Sequence, residues 1–304
     1  MTSYESSLTS LISAFGRAYH HLFDTPLIFD DFIAPKLLSA QEFEAIKTNM
    51  IKGIDFFNAD LGSKLKDQPD EALKWIIQTQ LSPTPLARAA FCEKVLFNEI
   101  SLGASQYIIL GAGMDTFALR HIHLEKKISI FEVDFPTTQK FKINKLESSN
   151  LTIPSNLYFI QSDFSKNISS DFLVENNVRQ EKTFFSLLGV SYYLSKAELE
   201  QLLMNLFKEM PIGSSIVFDY ADENLFIEKG ISNRVENMVK LAMASGEPMK
   251  SSFSYEEIES LLQKAGLLIY EHLTPEDIQL QFFNDRDDYL SAFETIHYIH
   301  AVKK

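Results

Sequence analysis

The sequence predicts a doubly wound α/β fold, a mostly parallel seven-stranded sheet with helices on both faces, preceded by a helical N-terminal segment. Three observations predict it. From about residue 101 onward, short apolar runs alternate with helical segments, as parallel strands alternate with crossover helices. The first run, Tyr107–Leu110, ends in Gly111-Ala112-Gly113. The second ends in Glu132 and Asp134, at the distance a cofactor fold sets between its glycine turn and its ribose acid.

Residues 1–100 read as helices. Leu8, Leu11, Ile12, Phe15 and Tyr19 recur at helical spacing until Asp24-Thr25-Pro26 breaks the pattern. Phe29–Pro35 opens another helix, and Pro69 with Asp70 and Glu71 begins a further one, proline early and acids in the first turn. Pro83 and Pro85 interrupt again before an amphipathic helix over Leu86–Phe97. Strands are then expected at Tyr107–Leu110, Ile128–Val133, Leu157–Ile160, Thr183–Leu188 and Ser214–Asp219, with two last ones at Leu267–Leu273 and His297–Val302. Ser195 and Glu198 form a capping box for a helix to Met210, and Gly266 closes one over Ser254–Ala265. No linker interrupts the chain. We therefore expect one domain over 1–304, with a helical cap in 1–100, a core in 101–304 and an insertion near 221–252.

Composition narrows the function. A net charge of −13, with no lysine or arginine cluster beyond two neighbours, argues against nucleic acid as a partner. No apolar run approaches a membrane span, so no membrane role is expected. Cys92 is the single cysteine, which fits a reducing cytoplasm. The 25 phenylalanines exceed what a surface uses and point to an aromatic interior. His20-His21 and His121-x-His123 lack partners at ligand spacing, so no metal site is expected.

The glycine loop discriminates between cofactors. A dinucleotide fingerprint needs a third glycine where this chain has Thr116, and Asp115 sets a like charge against a pyrophosphate. S-adenosylmethionine has a cationic centre and no phosphate. It suits the loop better, with its methionyl part against the glycines and its ribose on a downstream acid. Methyl transfer is thus favoured over hydride transfer.

Gly111-Ala-Gly-Met-Asp-Thr116 with Arg120, and Phe131-Glu-Val-Asp-Phe-Pro136, closely resemble the leucine carboxyl methyltransferase family. These are class I S-adenosylmethionine-dependent methyltransferases of Rossmann-like fold. Gln161–Phe164 and Phe184–Leu194 resemble the family's segments after the third and fourth strands; Arg17 with Asp30-Asp31, and Leu86-Ala-Arg88, resemble its N-terminal helices. The resemblance implies cofactor contacts from Arg88 (methionyl carboxylate), Gly111, Ala112, Gly113, Glu132 or Asp134 (ribose), Asp163, Phe164 (adenine) and Leu188. Tyr193, just after the fourth strand, is the candidate for orienting an acceptor. Where the phosphatase-methylating branch carries a glutamate this chain has Leu188, so it looks more like the bacterial branch. The expected reaction is O-methylation of a carboxyl or hydroxyl on a small molecule. Protein C-terminal carboxyl methylation, and cofactor binding without catalysis, are the alternatives. No Asn/Asp-Pro-Pro-Tyr segment follows the fourth strand, which argues against N-methylation.

Overall fold

The computed structural model describes residues 5–164 and 170–304. The N-terminal part contains α1 (Glu5–Phe23), α2 (Ala34–Leu37), α3 (Ala40–Lys52), α4 (Ile54–Lys64), α5 (Pro69–Ile76) and α6 (Pro83–Ser101). A turn of π-helix, Ile77–Leu81, joins the last two. Then follow β1 (Gln106–Leu110), α7 (Phe117–Arg120), β2 (Ser129–Asp134), α8 (Pro136–Ser148), β3 (Leu157–Gln161), α9 (Ser170–Glu175), β4 (Thr183–Leu187), α10 (Lys196–Phe207) and β5 (Ser215–Ala221). The chain closes with α11 (Arg234–Ala244), α12 (Tyr255–Lys264), β6 (Leu267–Leu273), α13 (Pro275–Phe282) and β7 (Ile296–Lys303).

Local sequence explains most of these boundaries. Ser39, Ser195 and Ser254 each cap a helix through a reciprocal bond with the glutamate three residues on. One boundary differs from the sequence expectation. Pro83 and Pro85 do not interrupt the chain before α6; they lie inside its first turn. The first amides of a helix have no intrahelical acceptor, so proline there forfeits no hydrogen bond. The helix therefore begins three residues earlier than its apolar pattern indicates.

The seven strands form one sheet in the order β3-β2-β1-β4-β5-β7-β6. β1 to β5 are parallel, and β7 runs antiparallel between β5 and β6. Every residue of β1, β4 and β5 is buried, as expected of parallel strands covered on both faces. The two-residue period sorts their side chains into two cores. Tyr107, Ile109, Phe184 and Val217 pack with Leu86, Phe91 and Val95 of α6. Ile108, Leu110, Phe185 and Phe218 pack with Leu199, Leu203 and Phe207 of α10 and Ile258 of α12. No described helix is long and apolar enough to cross a membrane.

The order of strands reverses between β1 and β4, each running out to the same carboxyl edge. Ligands of such sheets bind in the crevice this reversal opens.

Phe185 carries the second core, fully buried with its ring 5.0 Å from that of Phe207. Replacing it with alanine is expected to cost about 3–5 kcal/mol, read from urea unfolding; a loss below about 1 kcal/mol contradicts this packing.

Candidate cofactor site

The chain leaves β1 through two left-handed residues, Gly111 (φ 74°) and Gly113 (φ 51°). A side chain at Gly111 is excluded twice: by its backbone conformation, and because a Cβ would stand 2.6 Å from Cγ2 of Val190. The amides of Gly111 and Ala112 donate to the carbonyl of Val133 on β2. The turn is thereby stitched to the neighbouring strand. Asp115 accepts from the Phe117 amide at 2.8 Å and starts α7.

β2 delivers Asp134 to the carboxyl edge. Its two oxygens accept from the amides of Gly113 (2.5 Å) and Phe135 (2.6 Å). Burial raises its pKa, and these amide bonds pull the other way. A carboxylate offers about four lone-pair sites, so capacity remains for ribose hydroxyls. Glu132 is placed differently from the sequence expectation. Two residues earlier it does share Asp134's side of the strand, but one pleat deeper it faces α8, where Lys142 Nζ lies at 2.5 Å. Glu132 is not on the cavity wall. Burial pushes its carboxyl up to about 7, against the pull of Lys142.

After β3, Asp163 and Phe164 stand on the cavity wall, Phe164 leaning toward Gly111. After β4 come Leu188 and, one short turn on, Tyr193, also on the wall. Burial, with Glu247 nearby, pushes the Tyr193 hydroxyl up to about 12. Arg88 reaches the wall from α6. Its Nη1 donates to Asp219 Oδ2 on β5 (2.9 Å) and to the Tyr192 hydroxyl (3.0 Å). Burial disfavours this guanidinium's charge, but Asp219 more than offsets it and the pKa is raised.

A second set of charges closes the site from the N-terminal side. Arg17 of α1 donates to Asp31 (2.8 Å), to Ser13 (3.0 Å) and to the Met114 carbonyl in the glycine loop (2.7 Å). Asp31, fully buried, also accepts from the Thr116 hydroxyl at 2.8 Å. Thr116 in turn accepts from Arg120, whose guanidinium pairs with Glu93 and lies over the Phe29 ring. The residue that takes the place of a third glycine is thus a hydroxyl bound into this network.

Arg17, Asp31, Thr116 and Arg120 fall in segments that carry the family resemblance, but the sequence assigns no site role to them, nor to Glu93 or Asp219. Asp219 had a signal: an acid ending an otherwise apolar run needs a partner to be buried. Glu93 had none, since it looks like any polar residue of an amphipathic helix.

Arg88, Gly111, Ala112, Gly113, Asp134, Asp163, Phe164, Leu188 and Tyr193 line a single cavity of about 660 Å³, inside the ~300–1,000 Å³ range of small-molecule sites. Along its length it offers an acid beside an aromatic ring, a carboxylate at the edge of β2, a bare backbone turn and a guanidinium. An adenosyl group joined to an amino acid needs such a sequence of partners. A pyrophosphate instead meets Asp115 and Asp134.

The fold is Rossmann-like, and the cavity lies at the reversal of strand order. The chain belongs to the leucine carboxyl methyltransferase family, whose model matches residues 10–207. It is 62% identical over 304 residues, 100% of both chains, to YktD of Bacillus subtilis, whose name provisionally makes it an S-adenosyl-L-methionine-dependent methyltransferase. A Parafrankia protein with a name of the same kind is 24% identical over 194 residues, 64% of this chain and 56% of that one. The crystal structure of human N-acetylserotonin methyltransferase aligns with 94% of this chain and 66% of its own at 14% identity, TM-score 0.46.

The Asp31 network makes a prediction about pH. Burial raises the pKa of Asp31, but Arg17 and Arg120 outweigh burial and hold it below the usual carboxylate value. Its contribution to stability is present above the unfolded pKa of about 3.9 and is lost as pH falls through the lower folded value. Urea unfolding should show Asp31→Asn well below wild type at neutral pH, with the gap narrowing below about pH 4. A gap independent of pH contradicts the ion pairing.

Proposed function

We propose that the protein is an S-adenosylmethionine-dependent methyltransferase acting on an oxygen of a small molecule. The observation that carries this reading is the pairing of the glycine turn with Asp134. The Gly113 amide donates to Asp134, the acid expected to hold the ribose. Membership of the family and 62% identity to YktD support the same cofactor.

The bound cofactor supplies an activated methyl on a sulfonium, and the leaving thioether needs no acid. The chain's own work is binding, alignment and exclusion of water. Arg88 holds the methionyl carboxylate, Asp134 the ribose, and Asp163 with Phe164 the adenine. Glu132 stays behind the site as the buried partner of Lys142. Leu188 sets an apolar wall where the phosphatase-methylating branch has a carboxylate, which supports a small acceptor over a protein terminus. The acceptor enters beside Tyr193 and the segment Gly246–Pro248, both on the cavity wall. With its hydroxyl raised to about 12, Tyr193 stays protonated at neutral pH. It orients the acceptor as a hydrogen-bond donor and does not act as a base.

Calorimetry tests the cofactor assignment. Asp134→Ala should weaken S-adenosylmethionine by about 1–3 kcal/mol, and unchanged affinity overturns the ribose role. Methyl-labelled cofactor incubated with the enzyme and a cell extract tests the acceptor. Label in the small-molecule fraction is expected. A base-labile labelled protein band instead supports protein carboxyl methylation, and no S-adenosylhomocysteine with any acceptor means that catalysis is lost.

A further inference from the structure

Asp219 is fully buried near the carboxyl end of β5, behind Arg88 and off the cavity wall. Its Oδ1 accepts the Gly189 amide at 2.6 Å, its Oδ2 accepts Arg88 Nη1 at 2.9 Å, and its own carbonyl accepts Ser191 Oγ at 2.5 Å. One side chain therefore fixes both the loop after β4 and the guanidinium that lies over it. The two are in close contact: a Cβ on Gly189 would stand 2.5 Å from Nη2 and 2.6 Å from Nη1 of Arg88. Gly189 has φ 72°, a backbone conformation that favours glycine, and the guanidinium occupies the space a side chain would take. Tyr192 completes the holder, accepting from Nη1 at 3.0 Å.

We propose that Asp219 is a positioning residue for the cofactor: acting through Arg88, it presses the guanidinium onto Gly189 with Nη1 turned inward. The fork is thereby left to receive the methionyl carboxylate. Both described hydrogen bonds of Arg88 leave from Nη1, the inner corner of the fork. A planar guanidinium anchored at one corner has a fixed plane, and bidentate capture of a carboxylate depends on that plane. Asp219 also compensates the arginine's charge, so a buried cation is tolerated before ligand arrives. The inference rests on the S-adenosylmethionine reading.

The test compares two ligands by calorimetry: S-adenosylhomocysteine, which carries the carboxylate, and 5′-methylthioadenosine, which lacks it. Asp219→Ala should weaken the first about tenfold, the loss of one charge-assisted contact, and the second less than about twofold. In an Arg88→Ala background the same substitution should change S-adenosylhomocysteine binding by less than about twofold. Tyr192→Phe, which keeps the ion pair, should show a smaller loss with the same selectivity and serves if Asp219→Ala does not fold. Equal losses for both ligands, a full loss without Arg88, or tighter S-adenosylhomocysteine binding overturns the positioning role. Wild-type protein that binds neither ligand overturns the cofactor reading instead.

Discussion

The site depends on one constraint: the backbone turn at Gly111–Gly113 must stay bare and fixed. Bareness comes from glycine, because Val190 fills the space that a side chain would take. Fixity comes from carboxylates on two sides, Asp31 fully buried and Asp134 half-buried on the cavity wall. Asp134 takes the Gly113 amide, and Asp31 holds Arg17 against the Met114 carbonyl and binds Thr116. Asp31 would not be tolerated so deep without partners. The turn and the acids therefore stabilise one another, and the N-terminal helices are bound to the sheet through the same bonds.

Charge is distributed over the cavity in a consistent way. Arg17, Arg88 and Arg120 face it, and each is already matched by Asp31, Asp219 or Glu93. Asp115, Asp134 and Asp163 add acids along the wall. Such a wall opposes phosphates and accommodates a cationic ligand.

The inner strands β1, β4 and β5 were legible because a parallel strand buried on both faces is written as an unbroken apolar run. Leu267–Leu273 was placed to the residue, and the other six strands to within two residues at each end. The capping box at Ser195 made one helix start equally clear. The start of α6 was not, because a proline's effect depends on which turn of the helix it occupies. In the site, residues on the strand-end loops were visible because the motif names them. Glu132 stands away from the cavity for a physical reason. Alternation assigns a side of the sheet but not a depth, and a step of two residues, about 6.6 Å, moved its carboxyl from the crevice to Lys142. Glu93 acts through tertiary pairing, which no local pattern encodes, and Asp219 shows in the sequence only as an acid at the end of an apolar run.

Where the cofactor's parts lie tests the site most directly. A crystal structure with S-adenosylhomocysteine should place adenine against Asp163 and Phe164, ribose hydroxyls on Asp134 and the carboxylate on Arg88. The ligand found elsewhere, or bound in this cavity with its carboxylate away from Arg88, would contradict it.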